Sequence, residues 1–398
     1  MNIKALAAAL LLVVSAVGPA TAAATGATQN AKAYSETYVA FETKGDAIAD
    51  YSVNGETVVD SVAVQSTSEA ESSGGLAAGA DLTAVTNFDA AGLSLESSAT
   101  TSTHATVTAE SGATIEANDN DRGIMVVSAG ESSQYVSANL TSDAEAQQSG
   151  ESRVVVQKAD GETGTFIVVG DGDVTVNEQG NVSAELQQGS KLVYRQYGDE
   201  RSDSEKKQEE LIAEGTATAE VYYQQADSSS EDGTQRTANV VQYGEDTTVE
   251  VTEQSKNQVN MTVERAESQG KVVIVSVSDA AMENAENAQV YVDGKAAVQA
   301  SSYSEVQSAA NGGETSKFLV QSSSSAEASS DVVVGINHFS ERQMSVQSGD
   351  GDGSSGSDGG DGGDGSSDDT ATEGTGPGFG AIAAIAAFGA ALFARTRL

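Results

Sequence analysis

The chain has 398 residues, 59 acidic against 20 basic, for a formal charge of −39. That balance excludes a nucleic-acid-binding surface, which needs a basic footprint, and the lack of cysteine excludes disulfides in any compartment. With no tryptophan and few aromatic residues, any core must rest on Val, Ala, Ile and Leu with a few Tyr and Phe.

The amino end carries Lys4, an apolar run from Ala5 to Val17, and then "GPATAAATG" with small residues at Ala20, Ala22 and Ala24. This is the pattern of a secretory signal peptide over residues 1–24, with cleavage expected after Ala22 or Ala24. Residues 25–115 are rich in Ser, Thr, Ala and Gly and contain alternating runs such as "TVVDSVAVQ" and "HATVTAESGATIEA". Period-two alternation predicts half-buried strands. Turn residues every ten or so positions predict an all-β architecture.

Residues 116–275 contain a repeat. Three stretches, 122–157, 163–196 and 239–275, each show an apolar pair and a Gly soon after. Asn-apolar-Ser/Thr follows, and then Arg or Lys ahead of three mostly apolar residues. The basic markers are Arg153, Lys191 and Lys271. Asn139 to Asn181 spans 42 residues and Asn181 to Asn260 spans 79, so a period near 40 predicts tandem β-units, sandwich-like or stacked. Between the second and third copies, "SDSEKKQEELIAEG" has capping-box spacing at Ser202 and Glu205 and a stop at Gly215, predicting a short helix near 203–214.

Residues 276–348 read as a small α+β region. "SDAAMENAENA" and "SSYSEVQSAANGG" predict short helices, Asp293-Gly294 a hairpin, and "SSDVVVGINHFSERQMSVQ" a closing pair of strands. Residues 349–376 hold no apolar side chain larger than Ala and cannot form a core. They are expected to be a flexible acidic stalk with a span of roughly 30 Å.

Chemistry-bearing motifs are sparse. The chain has His104 and His338 alone, far apart in sequence, and no H-E-x-x-H, Walker loop or G-x-S-x-G. "NDNDRG" and "GDGDV" have the look of calcium loops. Aligned as EF-hands, however, the second has Val176 at the turn and Val182 at the last ligand, and the first has Arg122 and Ala129 at ligand positions. No catalytic, cofactor or metal residue is therefore assigned, and the chain is expected not to be an enzyme. Three sequons, at Asn139, Asn181 and Asn260, permit N-glycosylation of an exported protein. All three fall at the same place in the repeat. In a strand, Leu140, Val182 and Met261 can then face a core while each Asn faces solvent.

The carboxyl end, 377–398, places Pro377, Gly378 and Phe379 before an apolar run and the terminal Arg395 and Arg397. This order resembles the PGF-CTERM sorting signal of haloarchaeal surface proteins. The resemblance covers about the last twenty-five residues. It implies recognition by an archaeosortase at Pro377, Gly378 and Phe379, removal of the tail and attachment to a membrane lipid, as in other tail-replacing anchors. Removing both end segments takes Lys4, Arg395 and Arg397 away, leaving 17 basic against 59 acidic residues, a mature charge of −42. Molar salt screens such self-repulsion. The expectation is an exported, lipid-anchored, glycosylated β-rich surface protein of a halophilic archaeon, with a structural or adhesive role beside surface-layer or envelope proteins. A saccharide- or peptide-binding module is the competing class, and an exported hydrolase comes third.

Overall fold

The computed structural model describes residues 32–44, 47–72, 82–85, 95–100, 103–225, 236–323, 328–339 and 341–349. The signal peptide, the stalk and the sorting signal, with Ala22, Ala24, Pro377, Gly378 and Phe379, lie outside them. The fold is mainly β, with four sheets and three short α-helices: α1 (Thr67–Ser72), α2 (Asp203–Ala213) and α3 (Tyr303–Ala310).

The first sheet runs, edge to edge, Lys32–Ser35, Val39–Lys44, Ala47–Val53, Glu56–Ser66, Gln134–Leu140, Val182–Leu186 and Gly172–Val176. The second runs Ala144–Gln148, Arg153–Lys158, Thr163–Val169, Lys191–Tyr197, Met125–Ser128, Thr114–Asn118, His104–Ala109 and Leu95–Thr100. Val, Ile and aromatic side chains from the facing sides of these two sheets form one core, including Val62, Val136, Phe166, Val182 and Tyr194. The third sheet runs Arg236–Gln242, Ala217–Gln225, Gln269–Ser278, Ala328–His338, Lys317–Ser322 and Val298–Gln299. The fourth runs Thr247–Ser255, Gln258–Arg265, Arg342–Gln347, Gln289–Val292 and Lys295–Ala296, and shares a second core with the third, around Val259, Met261, Val275 and Val334.

The two sandwiches meet through the outer faces of the second and third sheets. Ile124, Ile167 and Val193 on one side pack with Tyr222, Tyr243 and Ile274 on the other, along with Leu211 and Ile212 of α2 and Val306 of α3. The inner strands are therefore covered on both faces, and their sequences show it. Thr163–Val169 is buried at all seven positions, whereas His104–Ala109 alternates strictly between buried and half-buried. A strand covered on both sides loses the alternation of a half-exposed one.

The repeat is a path through a sandwich. In each copy an inner-sheet strand comes first: Met125–Ser128, Thr163–Val169 or Arg236–Gln242. The sequon follows at or beside an outer-sheet strand, Gln134–Leu140, Val182–Leu186 or Gln258–Arg265. The basic marker then lies in an inner-sheet strand, Arg153–Lys158, Lys191–Tyr197 or Gln269–Ser278. Each marker ends on a main-chain carbonyl at or beside the junction: Arg153 on Lys206, Lys191 on Gln242, Lys271 on Gly215. Burial lowers the ammonium pKa of both lysines.

The sheets do not divide the chain at residues 115 and 275. The first two copies complete the first sandwich together with the strands between 32 and 118, and the third lies within the second sandwich. The change falls at α2 because Lys191–Tyr197 closes the second sheet between Thr163–Val169 and Met125–Ser128. Ala217–Gln225 then starts the third. Helix α2 has the full capping box at Ser202 and Glu205. The Asp293-Gly294 hairpin forms, with both residues at positive φ. "SDAAMENAENA" yields only a 3-10 turn at Ala285–Asn287. The closing strands Ala328–His338 and Arg342–Gln347 do not pair with each other but enter the third and fourth sheets.

Candidate functional site

The densest grouping of ionisable side chains lies in the seam between the sandwiches, fully shut from solvent. The first sandwich contributes guanidiniums, while α2 and the second sandwich contribute carboxylates. Arg122, in the turn after Thr114–Asn118, reaches Glu205 of α2 at 3.0 Å and Asp331 of the third sheet at 3.4 Å. It also donates to Ser323 at 3.1 Å. Arg195, in Lys191–Tyr197, pairs with Glu220 of Ala217–Gln225 at 2.7 Å. The side chains of Arg122, Arg195, Glu205 and Glu220 are 0% exposed.

Tyrosine hydroxyls and amides fill the remaining valences. Glu220 accepts from Tyr243 at 2.6 Å and Tyr222 at 3.3 Å. Arg195 donates to Tyr197, whose hydroxyl donates to Glu209. Glu209 also takes Thr165, Arg153 and Arg201. Asp331 accepts from Gln208 at 2.8 Å and Ser276 at 2.7 Å. Glu205 does double duty, since its other oxygen accepts from the backbone and hydroxyl of Ser202 at the start of α2. Both guanidiniums lie over the Tyr197 ring, 5.1 and 5.5 Å from its centroid.

The electrostatics follow from this packing. Burial works against the charge of Arg122 and Arg195, but Asp331 and Glu220, respectively, hold each pKa above the ordinary arginine value. Burial also pushes Tyr197, Tyr222 and Tyr243 well above the usual phenol range, with neighbouring carboxylates adding to it for each. Arg122, Arg195, Glu205, Glu220 and Asp331 are at most 1% exposed, so they face protein groups and not solvent. What it does is fix one sandwich against the other.

The "NDNDRG" stretch belongs to this seam. Residues 118–122 are all buried. Asp119 accepts main-chain N–H groups of Thr37, Tyr38 and Val39 at 2.8–3.2 Å, which ties the amino-terminal hairpin to the turn. Asn120 bonds Asn239 of the second sandwich at 2.8 Å. Asn239 in turn bonds Asn118 and the Thr103 carbonyl. Gly123 has φ +50°, and a Cβ there would sit 2.2 Å from Val53 Cγ2.

The other candidates are placed as follows. Asp171, in a bend, and Asp173, in the edge strand Gly172–Val176, are both exposed. His104 is half-buried and His338 exposed, in different sandwiches. Glu56, Asp160 and Glu162 converge, but their common partner is the Lys158 ammonium at 2.9, 3.3 and 3.3 Å. An open surface cleft of about 520 Å³ is bordered by Glu245, Asp246, Glu264, Arg265 and Glu341, without an aromatic wall. Leu140, Val182 and Met261 are buried in the intersheet cores, and Asn139, Asn181 and Asn260 are half-buried on the outward side.

No family model matches the chain. No curated protein matches it either. Among solved structures, the chain has a likeness to a glycoside hydrolase of family 81 from Clostridium thermocellum, with 9% identity and a TM-score of 0.33. The match covers 78% of this chain and 34% of that one, so the chain spans about a third of that structure's length.

The seam residues carry no sequence motif, yet one signal existed. Arg195 in "KLVYRQY" and Glu220 in "ATAEVYYQQ" are charges in the interior of strands rich in apolar and aromatic residues. A charge so placed must be paired when both faces of its strand are covered.

Proposed function

We propose that the protein is an exported, membrane-lipid-anchored ectodomain of a halophilic cell surface, with a structural or adhesive role in the envelope. The observation that carries the structural half is the closed seam. It makes two sandwiches into one stiff body by placing cations of one against anions of the other. Concentrated salt screens exposed ion pairs, since the Debye length falls to ~3 Å at 1 M, but reaches buried pairs far less. A junction held by sealed charges therefore suits a chain whose own charge calls for salt. The anchoring half rests on the order Pro377-Gly378-Phe379, apolar run, Arg395 and Arg397. Its partners are an archaeosortase, a membrane lipid and neighbouring envelope proteins, with no nucleic acid. No helix among the described residues is long and apolar enough to cross a membrane.

The test is mass spectrometry of both termini of the protein isolated from its own membranes. The expected result is a start after Ala22 or Ala24 and a lipid-modified end upstream of Pro377. Changing Pro377, Gly378 and Phe379 together to Ala should leave the tail in place. A wild-type protein ending in unmodified Leu398 would refute anchoring.

A further inference from the structure

The three sequons occupy the same place in the repeat, but their folded surroundings differ. In the first sheet, Val182 pairs with Ala138 and Ser183 with Ser137, so Asn181 lies opposite Asn139 on the neighbouring strand. The Leu140 N–H donates to Asn181 Oδ1 at 3.0 Å. Directly opposed residues are only about 4.5–5.5 Å apart, too close for two glycans. Asn139 also spends its Nδ2 on Ser61 Oγ at 2.9 Å.

The sequon hydroxyls are buried there as well. Ser183 is fully buried, donating to the Val85 carbonyl and accepting from Asn177. Thr141 Oγ1 is shut from solvent without a partner among the described residues. An enzyme that reads the hydroxyl two residues after Asn meets neither on the folded protein.

Asn260 stands apart. It lies on the outer face of the fourth sheet, and Thr262 beside it is half-exposed, its backbone paired in the sheet and its hydroxyl without a partner among the described residues. Asn260 holds only surface contacts, donating to Glu253 at 2.8 Å and accepting from Gln258 at 2.9 Å. Contacts of that exposed kind exchange with water at little cost. Its cross-strand neighbours are Ser345 and, beyond it, Tyr291, and the adjoining rung is Gln258, Gln347 and Gln289. Toward Arg342–Gln347 and Gln289–Val292 the sequon therefore meets amides, hydroxyls and one tyrosine, while Glu253 and Glu250 lie opposite Asn260 and Thr262 on its other side.

We infer that Asn260 alone of the three is glycosylated on the folded protein, and that its glycan rests on the uncharged side of this face, toward Ser345 and Tyr291. The inference rests on the exported reading above. In the transfer, Asn260 Nδ2 attacks the anomeric carbon of a polyprenyl-phosphate-linked saccharide. The new C–N bond forms as the C–O bond to phosphate breaks, a base of the transferase takes the amide proton, and the lipid phosphate leaves. A sugar leaning away from Glu253 can exchange hydrogen bonds with Gln258, Gln347 and Ser345, and the Tyr291 ring offers an apolar face.

Glycopeptide mapping of the full-length protein from its own cells tests this, alongside Asn139→Gln, Asn181→Gln and Asn260→Gln. The expected result is that Asn260→Gln loses the whole glycan mass, while the other two keep it. The glycosylated wild type should also protect Tyr291 from iodination relative to Asn260→Gln. Occupancy at Asn139 or Asn181 equal to that at Asn260, or a bare Asn260 on a protein with a cleaved leader, overturns the assignment. Equal iodination of Tyr291 overturns the resting of the glycan on the face. An intact leader beginning at Met1 refutes export and the assignment with it.

Discussion

Replacing Arg195 with Met should be among the most damaging single changes in the protein. The guanidinium is 0% exposed and lies 2.7 Å from Glu220, whose side chain is 0% exposed as well. Removing the cation leaves a buried carboxylate with the hydroxyls of Tyr243 and Tyr222 as its remaining donors. Breaking a buried pair this way costs about 3–5 kcal/mol, and those two hydroxyls place the expectation near the lower end, about 3 kcal/mol. Glu220→Leu should cost a similar amount by stranding Arg195. In the double variant no charge is stranded, and the residual cost is that of hydroxyls without an acceptor, about 1–3 kcal/mol. The two single costs should therefore exceed the double by about 2 kcal/mol or more. Urea melts of the four proteins in molar KCl measure the cycle. Single variants within about 1 kcal/mol of wild type, or an additive double, would refute the view of the seam as a sealed charge lock.

Other outcomes follow from the same structure. Gly123→Ala should cost about 3 kcal/mol or more, because the new Cβ at φ +50° would overlap Val53; a thermal melt reads it. Tyr51, Tyr194, Tyr197, Tyr222 and Tyr243 have pKa values raised by burial above the unfolded value. Their contribution is then intact below about pH 10 and lost above it, at about 1.4 kcal/mol per group per pH unit. Tyrosinate absorbance and circular dichroism should accordingly change together, and full titration of all tyrosines with the fold intact would contradict this. Val182→Asp should cost about 3 kcal/mol or more by burying a charge. Asn181→Gln should cost about 1 kcal/mol, the worth of the bond from Leu140, and urea melts compare the two. Stability should climb from low to molar KCl, and a melting temperature indifferent to salt would argue against the halophilic reading.

Alternating runs such as "TVVDSVAVQ" were legible as strands because one face of each is open to water and the other is not. The capping box of α2 was legible because Ser202 and Glu205 are local. The third and fourth sheets were harder to foresee, since Ala328–His338 and Arg342–Gln347 look like a hairpin but part company into different layers. Sequence spacing reports what neighbours in the chain do, not which layer a strand joins. The seam was illegible for the same reason. Arg122 reads as a misfit in a calcium-like loop until Glu205 and Asp331 are brought beside it, and Glu205 reads only as a helix cap. The sequons were legible as a set, but the burial of Ser183 and the tie between Asn139 and Ser61 depend on strands far away in the chain.

The seam also imposes an order of arrival. Arg122 precedes Glu205 by 83 residues and Asp331 by 209. When a chain crosses a membrane amino end first, every strand of the first sandwich is present once Tyr197 has emerged, yet Arg122 and Arg195 still lack their counter-ions. Glu205 and Glu220 come next, and Asp331 arrives only with the longest strand of the third sheet. A product that stops early keeps an unmatched cation on a surface made to be covered, so it stays open where the finished protein is shut. Asp331 lies shortly before the acidic segment and the Pro377-Gly378-Phe379 tail. On the proposed exported reading, the last charge to be neutralised is thus delivered just ahead of the sequence expected to tether the chain, and closure of the seam would come before tethering.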